Sequence, residues 1–387
     1  MTDPVDSPRR PEGSMEGLRR RVIEGWSLQP LLVPIYAIIL SFIVGGVLIA
    51  IIGINPFEAY WALIRGMFGS WDRIAGSIAR SVPFIGSALA LAFAFRAGLF
   101  NIGAEGQLLV GGITAAWVGT WAFMADVPGI VAVPVIILAG AAGGFFWGGI
   151  PGVLRARTGA HEVISTIMLN SIALFMVRWI VNSRDPVILR DLDASVPRTT
   201  AIADSARLPE LADSQPNLHA GLFVMIGLCI VVAFVLRRTT FGFETITVGT
   251  NPHAAHYAGI SVNRIIILAM ALSGSFAGVA AASEVAGTNS FFQPGTFAFI
   301  GFDGIAIALL ARANPIAIIP ASFLWGALLS GAPLMQAEAG VSIDVVRIIQ
   351  SMVLLFVAAD AIVRYLFRIR AEGGHHIEAA ATGWVGS

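Results

Sequence analysis

The chain has 387 residues, 56% of them hydrophobic and 12% charged. An ordinary soluble domain carries about 25% charged residues, and a soluble chain of this length cannot hide so much apolar surface in one core. The composition therefore points to a bilayer, and a net charge of zero leaves no basic face for nucleic acid.

The N-terminal segment 1–30 is polar and holds Arg19, Arg20 and Arg21 before an apolar run from Leu31 to Ile54. That run is longer than the roughly 7–15 apolar residues of a signal peptide, and no small-residue cleavage site follows it, so it reads as a retained helix. A spanning helix needs about 20 apolar residues. On that rule the chain divides into spans at 31–54, 82–97, 106–125, 128–150, 163–182, 218–236, 264–286, 299–312, 315–335 and 345–365. The expected fold is an all-α polytopic membrane protein of about ten transmembrane helices. The runs 82–97 and 299–312 are short and are expected either to tilt little or to be half-helices continued by irregular backbone, which is tolerated at membrane depth only where it is buried in protein or lines a cavity.

The sequence has no lysine, so orientation rests on its 24 arginines. With the N-terminus in the cytoplasm, 15 of them fall in cytoplasmic segments, eight in external ones and Arg178 in a span. Four of the external eight lie in the long loop 183–217, where the rule that basic residues stay inside is weak. The expected layout is a transmembrane domain over 31–365, with 183–217 external, 237–263 cytoplasmic and a cytoplasmic tail over 366–387. Without a lysine there is no standard phosphate-binding Walker loop. Any ATP hydrolysis is therefore expected on a separate ATPase subunit, and no convergent catalytic groups argue for an enzyme.

The single cysteine, Cys229, excludes an intrachain disulfide and a multi-cysteine metal site. His161-Glu162 begins a zinc-helix pattern, but Ser165 stands where the second histidine belongs. His375 and His376 read as part of a solvated tail. No metal or cofactor is expected.

Ile102-Gly103-Ala104-Glu105-Gly106 recurs as Ile300-Gly301-Phe302-Asp303-Gly304. Each copy sets an acid between glycines just before an apolar helix, the first running outward and the second inward, as inverted-topology repeats do. An intramembrane acid is expensive and usually functional, and at a helix start it gains from the dipole. Glu105 and Asp303 are thus expected either to meet solute or to brace broken helices. Asn101, Gln107, Asn170, Asn289 and Gln293 offer hydrogen bonds to a hydroxylated solute, and Phe291 and Phe292 offer rings for stacking. Glu105, Glu284, Asp303 and Arg178 are few for the proton or sodium relay of an ion-coupled transporter. In the internal loop, Asn251 is a good N-cap, Pro252 suits the first helical position and Gly259 suits a left-handed stop. A helix of about two turns is expected between them.

These residues carry a resemblance. Leu99-Phe100-Asn101-Ile102-Gly103-Ala104-Glu105-Gly106-Gln107 resembles the signature of permease subunits of ATP-binding-cassette importers, in the branched-chain amino acid/simple sugar group. Glu162 to Asn170, Val248 to Ile260 and Gly301 to Ala306 look like its nucleoside-uptake branch, with simple sugars such as ribose or galactose as the second choice of solute. The likeness covers roughly residues 30–365. It implies a multi-pass protein of the bacterial cytoplasmic membrane, a second related permease, a cytoplasmic ATPase and an external solute-binding lipoprotein or periplasmic protein. It also implies that the short helix around Asn251, Pro252, Ala255, Tyr257 and Gly259 couples to the ATPase, with Ala255 and Tyr257 among its contacts. The residues expected near the solute pathway, from the repeated acids and their polar and aromatic neighbours, are Asn101, Glu105, Gln107, Asn170, Phe291 and Asp303.

Overall fold

Polar caps decide where many helices of the computed structural model begin. Asn55, Ser70, Thr239, Asn251, Asn314 and Ser342 each accept a backbone N–H from the turn that follows. Pro56, Pro252 and Pro315 stand at first positions, whose N–H would have no intrahelical partner anyway. The structure describes residues 29–359. The arginine-rich N-terminal segment and the tail with His375 and His376 lie outside the described residues, as do the expectations placed on the two termini.

The helices are α1 Gln29–Ile51, α2 Pro56–Phe68, α3 Trp71–Arg96, α4 Ala104–Gly119, α5 Gly129–Thr158, α6 Glu162–Asn182, α7 Gly221–Arg238, α8 Thr240–Thr250, α9 Pro252–Tyr257, α10 Val262–Glu284, α11 Ile300–Leu310, α12 Pro315–Ala339 and α13 Ile343–Ala358. The only sheet among the described residues is a two-stranded one, β1 Glu210–Ala212 with β2 Leu218–His219. Among the described residues, seven helices are long and apolar enough to cross a membrane. The chain is an all-α polytopic membrane protein. Helix α11 is apolar as well but, at 11 residues, falls short of that length.

Long-range contacts fix which end each helix meets. At one end, segment 183–219 forms an ordered cap. Ala203 N–H bonds Gly119 O at the end of α4 (2.9 Å), and Leu208 N–H bonds Ala286 O just past α10 (2.8 Å). The start of α3 sits under the same cap, where a methyl on Gly76 would touch Gln215 O. The opposite end, here the α9 end, holds Arg96, α8 and α9.

The tightest packing is between α5 and α10. Gly140, Gly144, Gly148 and Gly152 recur every fourth residue on α5 and face Met270, Gly274, Gly278 and Ala282 on α10. A methyl on Gly144 would fall inside Gly274 O, and one on Gly278 inside Gly140 O. Lipid is as apolar as a leucine side chain, so small residues that let backbones meet are what drive such helices together.

The expected spans need three adjustments. Helix α3 begins at Trp71, well before the expected 82, because Asp72, Arg73 and Arg80 lie within a continuous helix that charge had divided. Helix α5 continues past 150 to Thr158 and ends on Gly159 in the left-handed region (φ 70°). Helices α2 and α8 fill stretches read as connectors. Asn55-Pro56 starts α2 with the same grammar as Asn251-Pro252 starts α9.

Candidate functional site: the broken helix α11 and the turn that holds it

Past α10 the chain makes one π-helical turn, Val285–Asn289, then runs without regular structure to Phe299. Ser290 and Phe299 both lie at positive φ (59° and 69°), the left-handed region that costs a non-glycine residue roughly 1–2 kcal/mol. The cap pins the upper part of this segment. Thr199 N–H bonds Phe292 O (2.9 Å), Thr199 Oγ1 accepts Phe292 N–H (3.0 Å), and Ile202 N–H bonds Ser290 O (2.8 Å). Phe292 is fully buried, and its ring with that of Phe297 fills the space above Gly112. Phe291 is half-buried with the Arg198 guanidinium 4.5 Å above its ring. Asn289 and Gln293 are half-buried along the same stretch.

Helix α11 starts at Ile300 against the start of α4. Glu105 accepts Phe299 N–H at Oε1 (2.9 Å) and Gly301 N–H at Oε2 (2.8 Å). Gly301 is so close to the Glu105 backbone that any side chain there would collide with it. The carboxylate of one motif copy thus caps the helix of the other. From this meeting point α4 runs to the cap. Helix α11 runs the opposite way, to Ala313, whose carbonyl accepts Arg96 Nε–H (3.0 Å). Two helix starts at one level with opposite directions are what the repeated pentapeptide led us to expect. Phe299 and Phe302 are exposed on the outer side of α11, Asp303 is half-exposed in its first turn, and the Arg347 guanidinium lies 5.5 Å from the Phe299 ring.

The amides expected to meet solute are engaged by the chain itself. Asn101 is buried. Its Oδ1 accepts Gly103 N–H (2.8 Å), and its Nδ2 donates to Ser273 Oγ (2.8 Å) and Gln107 Oε1 (3.1 Å). Asn170 accepts Gly106 N–H at Oδ1 and donates from Nδ2 to Ile102 O, both at 2.8 Å. Asn101, Gln107 and Asn170 therefore brace the turn 97–103 and the start of α4, because buried polar groups at membrane depth must find partners within the protein. Glu162, also buried, accepts Phe100 N–H (3.3 Å) and faces Arg155 Nε at 3.4 Å. Its place in this network was visible in the sequence only as part of a longer stretch of resemblance.

At the α9 end, Asn251 Oδ1 accepts Ala254 N–H (3.0 Å), and Gly259 stops the helix at φ 81°. Ile260 N–H closes back on Ala255 O (3.0 Å), a Schellman closure. Ala255 is fully buried in the chain's own core while Tyr257 is 91% exposed. The expectation that both touch a partner is thus corrected for Ala255: on so short a helix one face must anchor it to the bundle. Asn251, His253, Ala254, Tyr257, Ala258 and Gly259 are exposed, and Pro252 is half-buried.

The family described as "Branched-chain amino acid transport system / permease component" matches residues 73–358, and the chain belongs to it. Among individual proteins, it is 41% identical over 354 residues to the guanosine ABC transporter permease protein NupP of Bacillus subtilis, covering 90% of this chain and 99% of that one. It is 34% identical over 341 residues to the nucleoside ABC transporter permease protein NupB of Lactococcus lactis (87% and 92%). It is 31% identical over 375 residues to the glucose ABC transporter permease protein TsgB13 of Haloferax volcanii (94% and 96%). Weaker similarity, at 24% and 26% identity, links it to a second permease of each of the first two organisms, NupQ and NupC. No solved structure matches the chain.

Proposed function

We propose that the chain is the membrane-spanning subunit of an importer that carries nucleosides into the cell, driven by a separate ATPase. The observation that carries this is the 41% identity to a guanosine permease along 99% of that protein's length. In this reading the cap 183–219 faces outside, where a solute-binding lipoprotein or periplasmic protein delivers the nucleoside, and α8 and α9 face the cytoplasm. The membrane is the bacterial cytoplasmic one. The exposed edge of α9, with Tyr257, docks on the ATPase. A second, related permease completes the membrane unit, in line with the paired permeases of the two nucleoside-transporting organisms.

The solute path runs along α11 and the irregular segment above it. Exposed irregular backbone at membrane depth cannot face lipid, so residues 293–299 must border water or a partner. Phe291, Phe299 and Phe302 offer rings to a base, and Asp303 offers hydrogen bonds to its sugar. Glu105 acts on the path through the helix start it caps. Simple sugars remain the second reading, favoured by the 31% identity to a glucose permease.

The test is uptake by vesicles holding the complete complex, given labelled guanosine, other nucleosides, ribose and glucose. ATP-dependent nucleoside uptake is expected. Uptake of sugars alone would overturn the substrate assignment, and uptake by this chain without any ATPase would overturn the importer reading.

A further inference from the structure

Three features of α11 coincide. Non-glycine residues at positive φ flank it on both sides: Phe299 at its start (69°), and Arg312 and Ala313 at its end (both 51°). Such conformations persist where the surroundings over-determine them, and they cluster at moving parts. Side chains hold both joints, and Ser87 Oγ donates to the Ile300 carbonyl (3.1 Å) beside the first. Glu105 accepts the Phe299 and Gly301 amides at the first, and Arg96 donates to the Ala313 carbonyl at the second. Finally, Arg96 ends α3 and Glu105 lies in the first turn of α4, on either side of a single short turn, 97–103.

That turn is not free to move alone. Its Gly98 (φ 70°) lies directly against Gly249, leaving no room for a side chain on either residue. Gly249 is the penultimate residue of α8, and the exposed helix α9 follows after one residue. A push on α9 therefore reaches the turn through backbone-to-backbone contact. The turn is also tied to α6 and α10 through Asn170, Thr166 and Ser273.

We propose that Arg96 and Glu105 are a pair of positioning residues that grip α11 by both ends, so that displacement of the α8–α9 elbow rotates α11 about its two strained joints and changes what Phe302 and Asp303 present to the path. This rests on the importer reading above. Neither residue touches solute in this role. Both act by making a half-helix of 11 residues follow a turn that lies far from it in sequence.

The test uses the whole complex in liposomes, with solute uptake and ATP hydrolysis measured together. A cysteine at Phe302, in a chain whose Cys229 is replaced, reports α11 by its labelling rate with and without ATP. Arg96→Gln is expected to leave the assembled complex and its hydrolysis in place while solute moved per ATP falls about tenfold, the scale of a typical coupling energy between sites. The ATP-dependent change in labelling at position 302 should vanish with it. Arg96→Lys, which can still reach the carbonyl, should restore most of both. Glu105→Gln should lower the same ratio. Hydrolysis and uptake falling in proportion, or a complex that no longer assembles in Arg96→Lys as well, would reduce Arg96 to structural support and overturn the proposal. An Arg96→Gln complex as tightly coupled as wild type would overturn the proposal alone. A wild-type complex that hydrolyses ATP but moves no solute would overturn the importer reading and the proposal together.

Discussion

Helices α10 and α11 are neighbours in sequence, yet they are held in opposite ways. Helix α10 is packed through bare backbone, with Gly274 and Gly278 against Gly144 and Gly140, and such a contact has one geometry and no slack. Helix α11 touches the Glu105 backbone at Gly301, but its ends are held by polar side chains, Glu105 and Arg96, and it leaves Phe299 and Phe302 uncovered. Glycine contacts fix a position, whereas side-chain hydrogen bonds at a strained joint can be exchanged. The contrast separates a frame from a part built to move, and substitutions in the two regions should differ in kind.

The largest effect is expected in the frame. Gly278→Val must push the α5 backbone away, because the atoms it meets belong to main chain. A loss of more than about 3 kcal/mol is expected, at or beyond the upper range for overpacking. It would be read as lost monodisperse protein or a large fall in Tm in detergent. Gly227→Val, where nothing lies within 4 Å, should change stability by less than about 0.5 kcal/mol. Equal losses at both positions would erase the comparison.

The frame continues to the cap through His219. Its ring is fully buried against Gly287 and Gly221, and Nδ1 accepts Gly221 N–H (3.2 Å), so Nε2 carries the proton and points at Glu284 Oε2, 3.9 Å away. Burial lowers the His219 pKa from 6.5 to about 4. The folded state therefore keeps the ring neutral where the unfolded chain takes up a proton. Stability is complete above pH 6.5 and is lost as pH falls from there toward 4, by about 3 kcal/mol at the far end. The difference in thermal unfolding between wild type and His219→Gln, followed from pH 7 to 4, should show this slope. A difference already flat between 6.5 and 4 would mean that the ring is not shielded.

A smaller effect is expected at the brace of the turn. Asn170→Ala strands the Gly106 amide and the Ile102 carbonyl and should cost about 2 kcal/mol, the range for unsatisfied buried groups. Smallest in stability is Phe302→Ala on the open side of α11, expected to shift Tm by about a degree or less while raising the KM for uptake. A large drop in Tm with unaltered KM would place Phe302 in the frame.

What the sequence disclosed follows the reach of each interaction. The α9 caps were legible to the residue, because Asn251, Pro252 and Gly259 act on backbone within one turn. The break before α11 was legible from an acid set among glycines. The pairing of Asn101 with Ser273, 172 residues away, was not, and so amides that brace a turn were read as lining a path. Ala255 was misread because alanine suits a docking face and a buried face equally. The four glycines of α5 stood at every fourth residue in plain view, but the helix that receives them could not be named from spacing. Sidedness is also open to direct test. Ser195 is exposed in the cap, while Ser205 is half-buried and bonded to Met124 O. A cysteine at Ser195 should therefore react with an impermeant thiol reagent from outside, and one at Ser261 should not.

The shortness of α11 has a consequence for biogenesis. Eleven residues rise about 16 Å, half of the hydrocarbon thickness, and the stretch before them exposes backbone that lipid cannot satisfy. Such a segment has no stable resting place as an independent insert during synthesis. It must wait at the interface until the start of α4, with its carboxylate, is already seated to receive the Phe299 and Gly301 amides. Assembly order is thus written into the contact itself: a truncated nascent chain ending after residue 314 should leave α11 accessible from the aqueous side whenever Glu105 is absent, and withdraw it when Glu105 is restored.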